Sequence, residues 1–158
     1  MGARSDTLFP PRRLLVAAAC AFAILASAAP SALAAGSGLS WGGRVLVDGP
    51  DGANRLRAVS CNAQKFCAVV DDNGNAITSP NPTGGAAAWK LTNVDGTNTM
   101  FGVSCTTGLC VAVDSSGNAV ALPSPLNPAS TWTTPAVVDA GNGLLGVSCP
   151  SATLCVAV

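Results

Sequence analysis

The chain has 158 residues, 49% of them hydrophobic and only 10% charged, with a formal net charge of zero. A typical soluble domain carries roughly 25% charge. It contains no His, no Tyr and no Glu, which removes the commonest general base, the phenol nucleophile and half of the carboxylate repertoire. No Lys/Arg cluster occurs after residue 13, so the basic stripe that a nucleic-acid partner requires is missing from the sequence.

At the N-terminus Arg4, Arg12 and Arg13 precede an apolar run from Leu14 to Ala29, which Pro30 ends. Ala32-Leu33-Ala34 then supplies a small-x-small cleavage pattern. That order is the signature of a secretory signal peptide, so residues 1–34 are expected to be removed between Ala34 and Ala35. The apolar run has 16 residues, short of the roughly 20 that a spanning helix needs, so no membrane anchor is expected after cleavage. Arg12-Arg13 match the paired arginines of a twin-arginine signal without its usual surroundings, which leaves the Sec and Tat routes open. Cys20, inside the run, reads as a small apolar filler in preference to a lipidation site. The remaining chain, 35–158, holds five basic residues against seven Asp, and six cysteines.

Those cysteines mark a repeat. Val59-Ser60-Cys61 … Cys67-Ala68-Val69-Val70-Asp71 returns as Val103-Ser104-Cys105 … Cys110-Val111-Ala112-Val113-Asp114, and again as Val147-Ser148-Cys149 … Cys155-Val156-Ala157-Val158. The opening cysteines lie 44 residues apart both times. Cut at its tryptophans, the array gives units 41–88, 89–131 and 132–158. Each opens with a short strand ending in Val-Asp (Arg44–Asp48, Lys90–Asp95, Thr134–Asp139), and a Gly-rich turn follows (Gly49–Gly52, Gly96–Asn98, Ala140–Gly143), as where antiparallel strands reverse.

The second strand places Leu56, Met100 and Leu144 at one equivalent position, and Ala58, Gly102 and Gly146 at another. A near-absent side chain at a fixed place in a strand implies close backbone approach there. The third strand runs from the second Cys to Asp71 or Asp114. It leaves through Asp71-Asp72-Asn73-Gly74-Asn75 or Asp114-Ser115-Ser116-Gly117-Asn118, which is hairpin chemistry. The fourth is Ala76–Ser79 in one unit and Ala119–Leu122 in the next. Four short strands per unit predict an all-β chain of antiparallel four-stranded blades of the β-propeller type, about two and a half of them, incomplete or open.

Each Cys pair flanks a turn of four or five residues, with one Cys ending a strand and the other beginning its neighbour. Cys61 with Cys67, Cys105 with Cys110 and Cys149 with Cys155 are therefore expected to form within-hairpin disulfides. Zinc would need convergent Cys pairs with further ligands, and a redox pair would need a C-x-x-C motif. Asp71–Asn75 resembles a calcium loop in its alternating oxygens, but its Gly is misplaced and no distal Glu exists. Turn chemistry is the reading adopted, and no cofactor or metal is expected. Asp48, Asp95 and Asp139 recur at equivalent places, as structural turns do. The tryptophans are expected in the blade core.

Ser79-Pro-Asn-Pro-Thr-Gly-Gly-Ala-Ala-Ala-Trp89 resembles a degenerate Asp-box, the Ser-x-Asp-x-Gly-x-Thr-Trp pattern of sialidase-type (BNR) propellers. The Val-Ser-Cys … Cys-Val-Ala-Val-Asp segments are similar to repeats of secreted actinobacterial propeller-like proteins. Asn81 stands where the box has Asp, and the copy Pro123–Trp132 keeps only Asn127 and the Trp. The resemblance implies a propeller fold over residues 41–158, with the boxes structural. Sialidases of that family use an arginine triad, a tyrosine and an acidic partner. With no Tyr or Glu, and Arg44, Arg55 and Arg57 confined to the first unit, no catalytic position carries over.

The expectation is an exported, non-enzymatic repeat module that binds a glycan or a protein outside the cell or at its surface. The alternative is a fragment of an Asp-box hydrolase or lyase whose catalytic residues lie outside this sequence. Propellers close with about four to eight blades, and Val158 falls inside a strand, so a truncated chain is expected. Self-assembly through unpaired blade edges, or a small open stack, are the other outcomes.

Overall fold

The computed structural model describes residues 38, 40–49, 52 and 54–158. The signal peptide, its cleavage between Ala34 and Ala35, and Cys20 all lie outside the described residues. From Gly42 to Val158 the chain forms one unit, and its regular structure is all β apart from a single 3-10 turn at Ala86–Ala88. The first sheet has the order β1 (Leu56–Cys61), β2 (Cys67–Asp71), β3 (Asn75–Ser79) and β4 (Lys90–Asn93). The second repeats it as β5 (Met100–Cys105), β6 (Leu109–Asp114), β7 (Asn118–Pro123) and β8 (Ala136–Val137). A hairpin of β9 (Val147–Ser151) and β10 (Leu154–Ala157) follows. All pairings are antiparallel, and β1 and β5 carry the same bulge, between Leu56 and Ala58 and between Met100 and Gly102. Among the described residues the array does not close into a ring.

Three features differ from the expectation. The sequence units do not coincide with the sheets. Lys90–Asn93, which opens the second unit, pairs with β3 and closes the first sheet, and Ala136–Val137 closes the second in the same way. The Gly-rich links 96–98 and 140–143 are therefore not hairpin turns; each carries the chain from the outer edge of one sheet to the first strand of the next. By the same logic Arg44–Asp48 is not a strand, because no described strand lies ahead of it to receive its hydrogen bonds. Trp41 is 88% exposed, whereas Trp89 and Trp132 are half-buried and Trp132 packs on the core.

The core lies between the two sheets. Phe66, Ala68, Val70 and Ala76 of the first meet Met100, Val103, Ala112, Val120 and Leu122 of the second. Side chains alternate across a strand, so Ala68 and Val70 face the second sheet while Val69 faces away. Met100 is fully buried, and burial of that kind contributes about 1.5–3 kcal/mol per side chain. First strand packs on first strand: β5 lies against β1 and β2, and β9 against β5 and β6. Close approach is needed there, since a Cβ on Gly102 would stand 3.1 Å from both the Gly146 Cα and the Val147 N.

The serines of the first two Val-Ser-Cys segments tie these layers together. Ser60 Oγ accepts from the Cys105 N–H at 2.9 Å, and Ser104 Oγ accepts from the Cys149 N–H at 2.9 Å. Asn62 Nδ2 donates to the Thr106 carbonyl at 2.9 Å, and the Arg57 guanidinium sits 5.9 Å from the centre of the Phe101 ring.

Candidate functional site

Disulfides join Cys61 to Cys67, Cys105 to Cys110 and Cys149 to Cys155, with Cα separations of 4.1, 4.0 and 4.1 Å. In the first two the partners stand directly opposite in the ladder, at the spacing of a non-hydrogen-bonded pair. This explains why the Cys105 N–H is free to reach Ser60. The three turns line one shallow depression. In an antiparallel sheet the β1–β2 and β3–β4 connections lie at one end and the β2–β3 turn at the other, so each end carries its own chemistry.

The β2–β3 end is built from carboxylates. Asp71 Oδ1 accepts from the N–H groups of Asn73 and Asn75, both at 2.9 Å, and its Oδ2 accepts from Asn75 Nδ2 at 2.7 Å. Asp114 repeats this with Ser116 and Asn118, adding Asn98 Nδ2 at 3.2 Å. The donors that the Asp71 oxygens take are all supplied by the turn itself. Asp48, Asp95 and Asp139 each hold an asparagine downstream, Asn54, Asn98 and Asn142. Among the described residues no group of three or more metal-ligating side chains occurs.

One pair stands apart. Asn98 Nδ2 bridges Asp95 Oδ1 and Asp114 Oδ2, both carboxyls are buried, and Asp95 Oδ2 accepts no hydrogen bond. Burial, then the hydrogen bond to Asp114 and its charge, push Asp95 up to about 6. Asp114 moves down: burial opposes this, but hydrogen bonds from Asp95, Asn118 and Ser116 prevail. Below about pH 6 the pair therefore keeps one proton, on the Asp95 side. Beside the pair, the Ser116 hydroxyl donates to Asn98 Oδ1 at 3.3 Å.

A pH dependence follows. Between the ordinary carboxylate value of 3.8 and about 6 the folded chain binds the proton that the unfolded chain has lost. This stabilisation is complete below that window, falls as pH rises through it and is gone above. The lowered Asp114 value acts only at still lower pH. Thermal melts from pH 4 to 7 should therefore show a declining midpoint, which Asp95→Asn flattens while raising stability at pH 7. An unchanged slope in that variant would assign the decline to other groups.

At the opposite end the outer loops enclose a cleft of about 250 Å³ between the two sheets. Phe66 and Leu122 form its floor, Lys90, Thr78 and Thr92 come from the first sheet, and Pro125–Asn127 and Ser130–Trp132 from the loop of the second. That loop is well braced. The Ser124 N–H donates to the Gly108 carbonyl at 2.9 Å, Asn127 N–H to the Ser124 carbonyl at 2.8 Å, and Ser130 Oγ to the Pro123 carbonyl. Thr133 clamps β7 from both sides, its N–H on the Ala121 carbonyl and its Oγ1 taking the Ala121 N–H. On the facing loop Ser79 Oγ accepts from the Asn81 N–H at 3.0 Å, and Trp89 follows the 3-10 turn. Half-buried Trp132, exposed Lys90 and exposed Asn127 offer an apolar wall, a cation and an amide to one small space.

The cleft was not among the sequence expectations, although its prolines and Trp132 sit in the loops singled out there. Comparisons with protein-family models, curated proteins and solved structures found no match.

Proposed function

We propose that the chain is an exported, non-enzymatic module of propeller type, its two sheets and hairpin being successive blades, and that it holds an extracellular glycan in the inter-sheet cleft. The cleft carries the reading: an indole with hydroxyl, amide and ammonium groups around it, on a braced rim, suits a sugar ring that needs apolar contact on one face and hydrogen bonds at its edge. Three disulfides favour an oxidising compartment. The Ser79–Trp89 loop, joining third and fourth strands, supports the Asp-box likeness and with it the blade reading. The rival, a piece of an Asp-box hydrolase, draws support from that loop alone.

A glycan array followed by titration calorimetry tests this. A saturable hit should weaken at least tenfold, about 1.4 kcal/mol, in Lys90→Ala, and in Asn127→Asp, which removes the amide donor but keeps the Oδ1 that accepts from the Ala129 N–H at 3.0 Å. Trp132→Ala should weaken it more, with a melting curve to exclude damage to the core it touches. Binding unaffected by all three variants would move the ligand elsewhere, and no hit on any glycan would sink the reading.

A further inference from the structure

We propose that the exported chain, residues 35–158, associates head to tail with a second copy of itself, repeating between molecules the joint that links its own sheets.

That joint occurs twice within the chain and has fixed parts. The preceding layer supplies a serine Oγ and the side chains of its first two strands. The following layer supplies a cysteine N–H and the outward residues of its first strand. Both halves are present again, unoccupied among the described residues. Ser148, equivalent to Ser60 and Ser104, is exposed and makes no hydrogen bond. Cys61, equivalent to Cys105 and Cys149, faces Cys67 as a non-hydrogen-bonded pair, so its N–H points away from β2.

Burial compared position by position gives the same answer. Met100 and Val103 are 0% and 7% exposed beneath the first sheet, while their equivalents Leu56 and Val59 are 48% and 65% exposed. Phe66 and Val70 are 3% and 0% exposed beneath the second sheet, while their equivalents Leu154 and Val158 are 55% and 76% exposed. The hairpin offers the two strands, β9 and β10, that a following first strand packs on, and β1 offers that first strand. Hydrogen-bond donor meets acceptor and apolar patch meets apolar patch when one molecule's β1 seats on another's hairpin. The occupant is therefore this chain, and the contact is heterologous, closing into a ring or extending as a filament according to its rotation.

Light scattering on the size-fractionated chain of residues 35–158 tests it with two exposed, complementary variants. Val59→Asp blocks the β1 face and Val158→Asp the hairpin face. The unmodified chain should be oligomeric and each variant monomeric. An equimolar mixture should give dimers that grow no further, because each dimer carries one blocked face at either end. A monomeric unmodified chain, variants that still assemble, or a mixture that stays monomeric would each overturn the proposal. Leu56→Lys with Val156→Lys repeats the test should either aspartate variant lose its disulfide-bonded fold.

Discussion

Asp114→Ala is expected to lower the unfolding midpoint by roughly 12–16 °C, the equivalent of about 3–4 kcal/mol. No other single side chain in the second sheet satisfies as many donors. Its carboxylate accepts from Ser116 N, Asn118 N, Asn118 Nδ2 and Asn98 Nδ2 at 2.9, 2.6, 2.8 and 3.2 Å, and it is 1% exposed. Leaving a buried donor unpaired costs about 1–3 kcal/mol, and only the Ser116 end of the turn is open enough for water to substitute. Asp114→Asn keeps Oδ1 for the two backbone N–H groups and places an amide against Asn98 and Asn118, so about half the loss is expected. Equal midpoints for the alanine variant and the unmodified chain in differential scanning calorimetry would mean that the turn is held by its backbone alone.

Gly117→Ala is the second large effect. Gly117 has φ +82°, and a Cβ there would lie 1.9 Å from the Asp139 carbonyl oxygen and 2.5 Å from that of Asn142. The Gly117 carbonyl also accepts from the Val138 and Asp139 N–H groups at 2.8 and 3.0 Å, which holds the outer edge of the second sheet in place. Relieving the clash means breaking that contact. Gly141 is the control, with φ +86° and nothing within 4 Å of its Cβ. Gly141→Ala should cost only the left-handed backbone penalty, about 1–2 kcal/mol, and Gly117→Ala at least twice that. If the two variants melt together, the crowding at Gly117 does not contribute.

What could be read in the sequence was local. Each disulfide closes a hairpin whose cysteines lie five or six positions apart, and each Asp–Asn turn spans five residues, so spacing and residue type suffice. Partners one repeat away were hidden. The constant serine was visible, but its acceptor role was not: Ser60 meets Cys105 and Ser104 meets Cys149, both 45 positions on. That offset is one period of 44 plus one residue, and an unexplained polar residue recurring at a strand's inward position was the available signal. The offset between sequence units and sheets has a related cause. Tryptophan is a conspicuous marker, but Trp89 and Trp132 precede strands that pair backwards, and pairing direction leaves no mark in a strand as short as Ala136–Val137. The cleft depended on how two loops, 78–92 and 122–132, converge across sheets, which no local pattern encodes.

The pairing of β4 with β3 ties neighbouring repeats in a second way, beyond contact between their faces. The second and third repeats each surrender their opening strand to the sheet before them, as the end shingle of one course covers the seam of the last. Melting one repeat therefore strips the edge from the sheet before it, and the penalty for independent fraying is raised above what face packing alone supplies. The same overlap makes duplication forgiving. Copying one sequence repeat adds one whole sheet, because the strand given back to the sheet before is replaced by the one received from the repeat after. An array of this kind lengthens or shortens by recombination without passing through a product that has an unpaired seam in its interior.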